Sequence, residues 1–329
     1  MALEVVSPGL LTTVQDLGRL GYQRFGVPVA GAMDGYAFRA ANILVSNPPN
    51  AAALEITIAG PQLVATQDCL IAVTGADLEL RINGAKMPLW MAVLVRRGYT
   101  IECGALQNGC RAYLAVAGGI DVPMVMGSRA TYLRGGFGGH QGRALATGDT
   151  LPVGATATYL FGQAGQEWPP SLRPPHNPCP IVEVILGPQD DHFTVDGLRT
   201  FLSAEYSVDR LSDRMGCRLQ GPPIAHKLDA DIVSDGIALG AVQVPADGQP
   251  IVMMADCPTT GGYPKSAAVV STDIPLLAQC LPGNSRIRFR KTTLESAQIR
   301  HRKMMSAFQG SPCSESAWSA EGGGHDLSN

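Results

Sequence analysis

The chain has 329 residues, 45% of them hydrophobic and 16% charged, so it is a folding sequence and not a disordered one. Its 25 basic and 28 acidic side chains leave a net charge of −3, too little to hold nucleic acid or an anionic membrane by a global field. The 38 glycines and 24 prolines argue for short strands and tight turns over long helices.

No apolar run reaches the ~18 residues of a spanning helix, so no membrane span is expected. The first residues show no basic, apolar leader, so no signal peptide is expected either. Eight cysteines lack CxxC spacing and have no histidine at ligand spacing, which predicts reduced thiols, a cytoplasmic protein and no metal site.

Read along the chain, 12–24 is the first segment with chemical character. Thr13, Gln15, Asp16 and Arg19 stand among turn glycines, a set that can hold an anion through arginine or simply form a solvated hairpin. Asp34 is a candidate N-cap for a helix running to about Leu44. Period-two alternation predicts strands at 54–58, 69–74, 78–82, 92–96 and 111–116. The stretch 134–143 holds five glycines, with Gly138 and Gly139 as candidate backbone donors and Arg143 at its end. It contains no Walker sequence.

Six prolines between 169 and 180 exclude helix and central strand, so 162–180 reads as an extended linker. The expected organisation is a first β-barrel domain at 1–161, this linker, a second β-barrel domain with a C-terminal helix at 181–309, and a disordered tail at 310–329. Strands are predicted at 181–186, 214–219, 240–244, 251–255, 267–271 and 286–290. Helices are predicted from Asp196 to about Leu202, from Asp273 to near Gly283, and from a Thr292–Glu295 capping box to about Phe308. Arg214 and Arg218, four apart on a predicted strand, are expected on one face, where they could grip an anion or form an exposed basic strand. Asp256 ends an apolar strand and is followed by Thr259, Thr260, Gly261, Gly262, Tyr263 and Lys265, the densest polar cluster of the chain. A thiol beside an aspartate is a poor nucleophile, which argues against Cys257.

These segments together resemble a known family. The matching stretches are Thr12-Thr-Val-Gln-Asp16 with Gly18-Arg19, Gly31-Ala-Met-Asp34, Arg39-Ala-Ala-Asn42 and Leu54-Glu-Ile-Thr57. They continue with Tyr113 to Asp121, Gly127-Ser128, Gly142-Arg143, Ser212-Asp-Arg-Met-Gly216, Val242-Gln-Val-Pro245 and Asp256 with Thr259-Thr-Gly-Gly-Tyr-Pro264. The chain is similar to the biotin-dependent carboxyltransferase-domain proteins, also described as allophanate hydrolase subunit 2 or KipI antagonist (KipA), and most to their 5-oxoprolinase branch. The likeness runs from about residue 8 to 300 and departs at Pro258, where the family usually has Gln.

The resemblance implies a mainly β fold of two cyclophilin-like barrels with a few short helices. It implies ATP-dependent opening of 5-oxoproline to glutamate, with ATP and Mg²⁺ bound in a complex with a KipI-like, B-type partner of 5-oxoprolinase and an A-type partner. It leaves two alternatives: a biotin-dependent carboxyltransferase acting on urea or a related amide, and a KipA-like regulator that binds a kinase inhibitor. On the leading reading Asp256, Arg214, Arg218 and Lys265 are the candidate catalytic residues. Thr13, Gln15, Asp16, Arg19, Asp34, Gly138, Gly139, Arg143, Thr259, Thr260, Gly261, Gly262 and Tyr263 are the candidate substrate or anion ligands. Asp16, Asp34 and Asp256 are candidates to orient substrate or to bind the Mg²⁺ that accompanies ATP. No other metal is expected, and the general base is expected from a partner.

Overall fold

The computed structural model describes residues 2–309. The chain is mainly β, with one closed barrel and several open sheets. In the first half, two sheets face each other. One runs in the order Thr150–Pro152, Ala2–Ser7, Gln62–Ala65, Thr100–Cys103, Leu80–Ile82, Ala85–Lys86. The other runs Leu11–Gln15, Ala53–Thr57, Asn108–Val116, Cys69–Asp77, Ala92–Val95. Leu3, Val5 and Leu63 of the first meet Val14, Ile56, Ile71 and Val73 of the second in one core.

The second sheet is buried on both faces, and its sequence shows why. In Cys69–Asp77, Ile71 and Val73 enter the inter-sheet core, while the alternate Leu70 and Ala72 enter a second core beneath helix α1 (Gly35–Leu44). Alternation with both faces covered reads as a continuous apolar run. Asp34 caps α1 as expected, accepting from the N–H groups of Tyr36 and Ala37.

The second half closes into a seven-stranded barrel: Ile181–Leu186, Lys265–Val269, Ala241–Gln243, Ile251–Met253, Gly216–Gln220, Glu205–Val208, Arg286–Lys291. The first and last strands pair in parallel and complete the ring. Helix α2 (Val195–Ser203) is capped by Thr194, two residues before the expected Asp196. Helix α3 spans only Ile274–Ala278, and Asp273 makes no side-chain cap bond. Helix α4 (Leu294–Gln309) is capped by Thr293, whose hydroxyl accepts from Ser296, so the cap lies one residue beyond the expected box.

The proline-rich stretch is not a free linker. The Trp168 ring is 1% exposed and wedges between Tyr36 of α1 and Phe308 of α4. Its backbone N–H donates to the Trp90 carbonyl at 2.8 Å, and the Arg286 N–H donates to the Pro178 carbonyl at 2.9 Å. The segment is a strap bonded to both halves. The expected tail at 310–329 lies outside the described residues.

Candidate functional site at the junction of the two halves

Arg214 sits in the turn before the Gly216–Gln220 strand, held there by Asp213, whose carboxylate accepts from the N–H groups of Met215 and Gly216. Asp256 follows the Ile251–Met253 strand, and its N–H donates to the Arg214 carbonyl at 2.8 Å. The two side chains form a bidentate pair, with Nε and Nη2 each 2.9 Å from a carboxylate oxygen. The remaining donors cross to the first half: Nη1 to Glu55 Oε1, and Nη2 to the Gly31 carbonyl at 2.6 Å. All three charged side chains are at most 6% exposed. Burial disfavours the charge on Arg214, but the two carboxylates outweigh it and hold the guanidinium protonated beyond its ordinary range.

Glu55 extends the network. Its Oε2 accepts from the Met33 N–H and the Tyr113 hydroxyl, both at 2.8 Å, and that hydroxyl accepts from the Asp34 N–H at 2.7 Å. The Asp34 carboxylate is also bonded by Gln279 Nε2 at 2.8 Å. Gln279 in turn accepts from the N–H groups of Cys110 and Arg111. Burial raises Asp34 to about 6, against the lowering effect of these bonds. On this side of the network Asp34, Gln279, Trp90, His176 and Leu276 border a cavity of about 360 Å³ under the strap. A continuous chain of polar contacts therefore joins that cavity to Asp256.

A second polar group surrounds Arg19. Arg19 is 1% exposed, stacks 4.9 Å over the Phe137 ring and donates Nη2 to the Ala130 carbonyl. Its Nε and Nη1 have no partner among the described residues. Each such buried donor costs about 1–3 kcal/mol. Gln15 donates to Thr13 Oγ1 at 3.0 Å and to the Thr131 carbonyl at 3.2 Å, while its Oε1 is likewise unpartnered. Gly138 takes φ +74, and a Cβ there would stand 2.1 Å from the Ala130 oxygen and 2.7 Å from Arg19 Nη2. Only glycine permits this approach of the hairpin to Arg19. The hairpin also touches the barrel, with Arg134 Nη1 3.1 Å from Met215 Sδ. The segments around 12–24, 134–143, 211–219 and 256–265 therefore meet at the junction.

Several expected site residues stand elsewhere. Arg218 is exposed on its strand while Arg214 is buried, because Arg214 precedes the strand and the two-residue periodicity does not apply to it. Arg143 pairs with Asp149 at 2.7 and 2.8 Å on a surface turn. That ion pair holds the Asp149 carboxyl well below the usual range. Lys265 is buried but bonds Asp235 at 3.0 Å, outside the Arg214 network. Thr260–Gly261 forms a small ribbon with Asp235–Gly236, the Thr259 carbonyl accepts from Ile237, the Gly262 carbonyl accepts from Ile232, and Tyr263 is 41% exposed. The ribbon therefore spends part of its backbone on itself.

Asp16 is also spent structurally, accepting from Gly18, Ser128 Oγ and the Arg129 N–H at 2.6–2.7 Å. Burial, with Asp256 adding to it, raises the Cys257 thiol to about 11, in keeping with an inert cysteine. Sequence reasoning missed Glu55, Tyr113 and Gln279 as network members. A lone carboxylate inside the apolar Ala53–Thr57 strand was the available signal for Glu55, since a fully buried glutamate is rare unless paired.

Comparison with known proteins gives a consistent picture. Residues 25–291 match the family model described as carboxyltransferase domain, subdomain A and B. The chain is 38% identical over 298 residues to the C-type subunit of 5-oxoprolinase from Escherichia coli, covering 90% of this chain and 93% of that protein. It is 37% identical over 294 residues to the Haemophilus influenzae protein of the same name, covering 88% and 91%. The urea amidolyase of Saccharomyces cerevisiae is 35% identical over 312 residues, covering 90% of this chain but 17% of that one. The solved structure of Kluyveromyces lactis urea amidolyase superposes with a TM-score of 0.88 and 34% identity over 93% of this chain and 20% of that one.

Proposed function

The chain belongs to the carboxyltransferase-domain family, subdomains A and B, and from that premise we propose that it is the C-type subunit of an ATP-dependent 5-oxoprolinase, opening 5-oxoproline to glutamate together with the A-type and B-type subunits. The observation that carries this reading is identity of 37–38% with two C-type subunits of 5-oxoprolinase over more than nine tenths of their length. The reading includes a cytoplasmic complex. It also takes the two-sheet first half and the closed second half as a pair of cyclophilin-like barrels with the strap between them.

A lactam is a weak electrophile, and ATP with Mg²⁺ would supply the phosphoryl group that turns its oxygen into a better leaving group. The described residues do not fit a nucleotide cradle. In the glycine-rich hairpin the N–H groups of Gly136, Gly139 and Gly142 are bonded to Tyr132, Arg129 and Gly138 carbonyls. Asp16, Asp34 and Asp256 are each engaged separately, and no group of three or more acidic, His or Cys side chains among the described residues could hold a metal. We therefore assign the ATP site to a partner subunit and the lactam-facing wall to this one.

The test is co-expression with the A-type and B-type subunits and an assay of glutamate release from 5-oxoproline with and without ATP. Release that needs all three chains and ATP supports the reading; a complete complex that releases none overturns it. The urea amidolyase superposition favours a second reading, a carboxyltransferase component using carboxybiotin on a carrier protein. Carboxylation of urea by this chain with such a carrier would select it.

A further inference from the structure

The cavity under the strap is walled by both halves and by Pro174–Pro178, and because residues 175–178 are exposed the strap forms its outer wall. Its volume of about 360 Å³ lies in the range of small-molecule sites. Among the described residues that line it none is lysine or arginine, and the only side chains that titrate near neutral pH are Asp34 and His176. Asp34 is 2% exposed, and its partners are all neutral. The N–H groups of Tyr36 and Ala37 occupy Oδ1, while Oδ2 accepts only from Gln279 and has room for a second donor. Gln279 has nothing more to give. Its Nε2 donates to Asp34 and to the Arg111 carbonyl, and its Oε1 accepts from the N–H groups of Cys110 and Arg111. His176 brings no compensating charge, since its Nε2 lies 3.2 Å from the Gly75 carbonyl and burial lowers it from its ordinary range.

A buried carboxylate without a counter-ion is costly, and such a group on a cavity wall is a place for a cation. Burial pushes Asp34 up to about 6, with the Glu55 charge acting in the same direction, so at neutral pH it is mostly ionised. The N–H groups that open helix α1 solvate that charge without neutralising it. The ionisable groups packed around it do not neutralise it either. Glu55 is paired with Arg214, Arg111 gives Nη1 to the Ala278 carbonyl, and burial keeps the Tyr36 and Tyr113 phenols protonated. Trp90 adds an independent sign on the same wall. It takes φ +59, a strained conformation for a bulky residue, held by its N–H on the Val73 carbonyl and by the Trp168 N–H on its own carbonyl, both at 2.8 Å. Such strain clusters at ligand sites, and tryptophan is the aromatic that favours cations most.

We propose that this cavity is a binding site for a small organic cation, a protonated amine on an apolar body, with the Asp34 carboxylate as its counter-charge and Trp90, Leu276 and the strap prolines as its apolar walls. An anion would meet Asp34 with no basic side chain on the wall to receive it, so neither a carboxylate nor a phosphate fits. The site is therefore separate from any that takes 5-oxoproline, which carries a carboxylate, and the inference stands independently of the 5-oxoprolinase reading.

Three probes of one shape and different charge test this on the full chain by calorimetry at constant ionic strength. At about pH 7.5 benzylammonium is expected to bind at least about tenfold more tightly than benzyl alcohol, its neutral counterpart, and than benzoate. Lowering the pH from about 7.5 to about 5 is expected to weaken benzylammonium about tenfold, because Asp34 takes up a proton in that range while the ammonium stays charged. Asp34→Asn keeps the size of the side chain and its capping oxygen, and is expected to abolish both the preference for the cation and its pH dependence. Leu276→Trp, which fills the cavity, is expected to abolish binding of the cation. Folding of both variants is checked by circular dichroism. Should either fail to fold, the charge series and the pH series on the wild type still decide. Absence of benzylammonium binding, equal or tighter binding of benzyl alcohol or benzoate, or an affinity unchanged down to pH 5 overturns the proposal. So does a folded Asp34→Asn that keeps the preference, or a folded Leu276→Trp that binds the cation as the wild type does.

Discussion

Arg214 is the residue on which the junction depends. It is paired with Asp256 from its own half and Glu55 from the other, all three out of water. Removing one member of a buried pair leaves a charge without compensation, at a cost of about 3–5 kcal/mol. Asp256→Asn and Arg214→Met are therefore expected to lower unfolding free energy by that amount in urea titrations, with any loss of turnover following from it. Arg218→Ala, on an exposed side chain, is expected to change neither stability nor turnover measurably. Equal effects at 214 and 218 would contradict the geometry. Asp34 makes a separate prediction. Its folded value of about 6 stands above the ~3.9 of an unfolded aspartate. The native state thus holds a proton between those values that the unfolded chain has released. The resulting stabilisation is complete below pH ~4 and lost as pH rises through 6, in total about 2–3 kcal/mol. Other carboxylates, among them Asp149 and Glu183, are held low and act in the opposite sense. The quantity to measure is therefore the stability of wild type minus that of Asp34→Asn. It is expected to fall between pH 4 and 7; a flat difference would refute the Asp34 account.

At the scale of elements, α4 and the proline-rich strap clamp the molecule. Phe308 near the end of α4 lies 5.0 Å from the Tyr36 ring and 6.0 Å from the Trp168 ring. Arg300 on the same helix bonds Glu183 and Asp273 of the second half. One helix thus ties α1 and the strap to the barrel. Phe308→Ala is expected to cost about 3–5 kcal/mol by opening a cavity in that aromatic cluster. Limited proteolysis should then cut first between the barrel and the end of α4, while a wild-type digestion pattern would show that the clamp lies elsewhere. Proline content excluded α-helix and central strand from 162–180, but a short 3-10 helix forms at Pro170–Leu172, and composition could not show that Trp168 is buried. Burial of a strap depends on what lies beside it in space, and propensity carries no such information. Cap positions in α2 and α4 were displaced by one or two residues for a related reason: several neighbouring Thr and Asp residues can cap, and tertiary packing selects among them.

For the whole molecule, the absence of an uncommitted base among the site residues shapes the expectation for activity. Asp256 and Glu55 are ion-paired with Arg214, and Asp34 is engaged by its cap and Gln279. The purified single chain is therefore expected to show no ATP-dependent opening of 5-oxoproline. Turnover should appear only with partner subunits, over an interface burying at least about 1,000 Å². Steady glutamate release by the chain alone would remove this prediction.

The sequence by itself determined the mainly β character, most of the longer strands, the Asp34 cap and the family, because alternation, capping and motif order are local properties of neighbouring residues. It also marked the four segments that meet at the junction, since polar groups among turn glycines are visible without a fold. Only the tertiary structure decided which members of those segments meet. Arg214 is buried against Glu55 while Arg218 faces solvent, Arg143 and Lys265 are taken by local partners, and Arg19 with Gln15 keeps unpaired atoms. The physical reason is that a charge gains or loses its role through desolvation and the partners that reach it across the fold, and contacts such as Arg214–Glu55, 159 residues apart, leave no local trace in the chain.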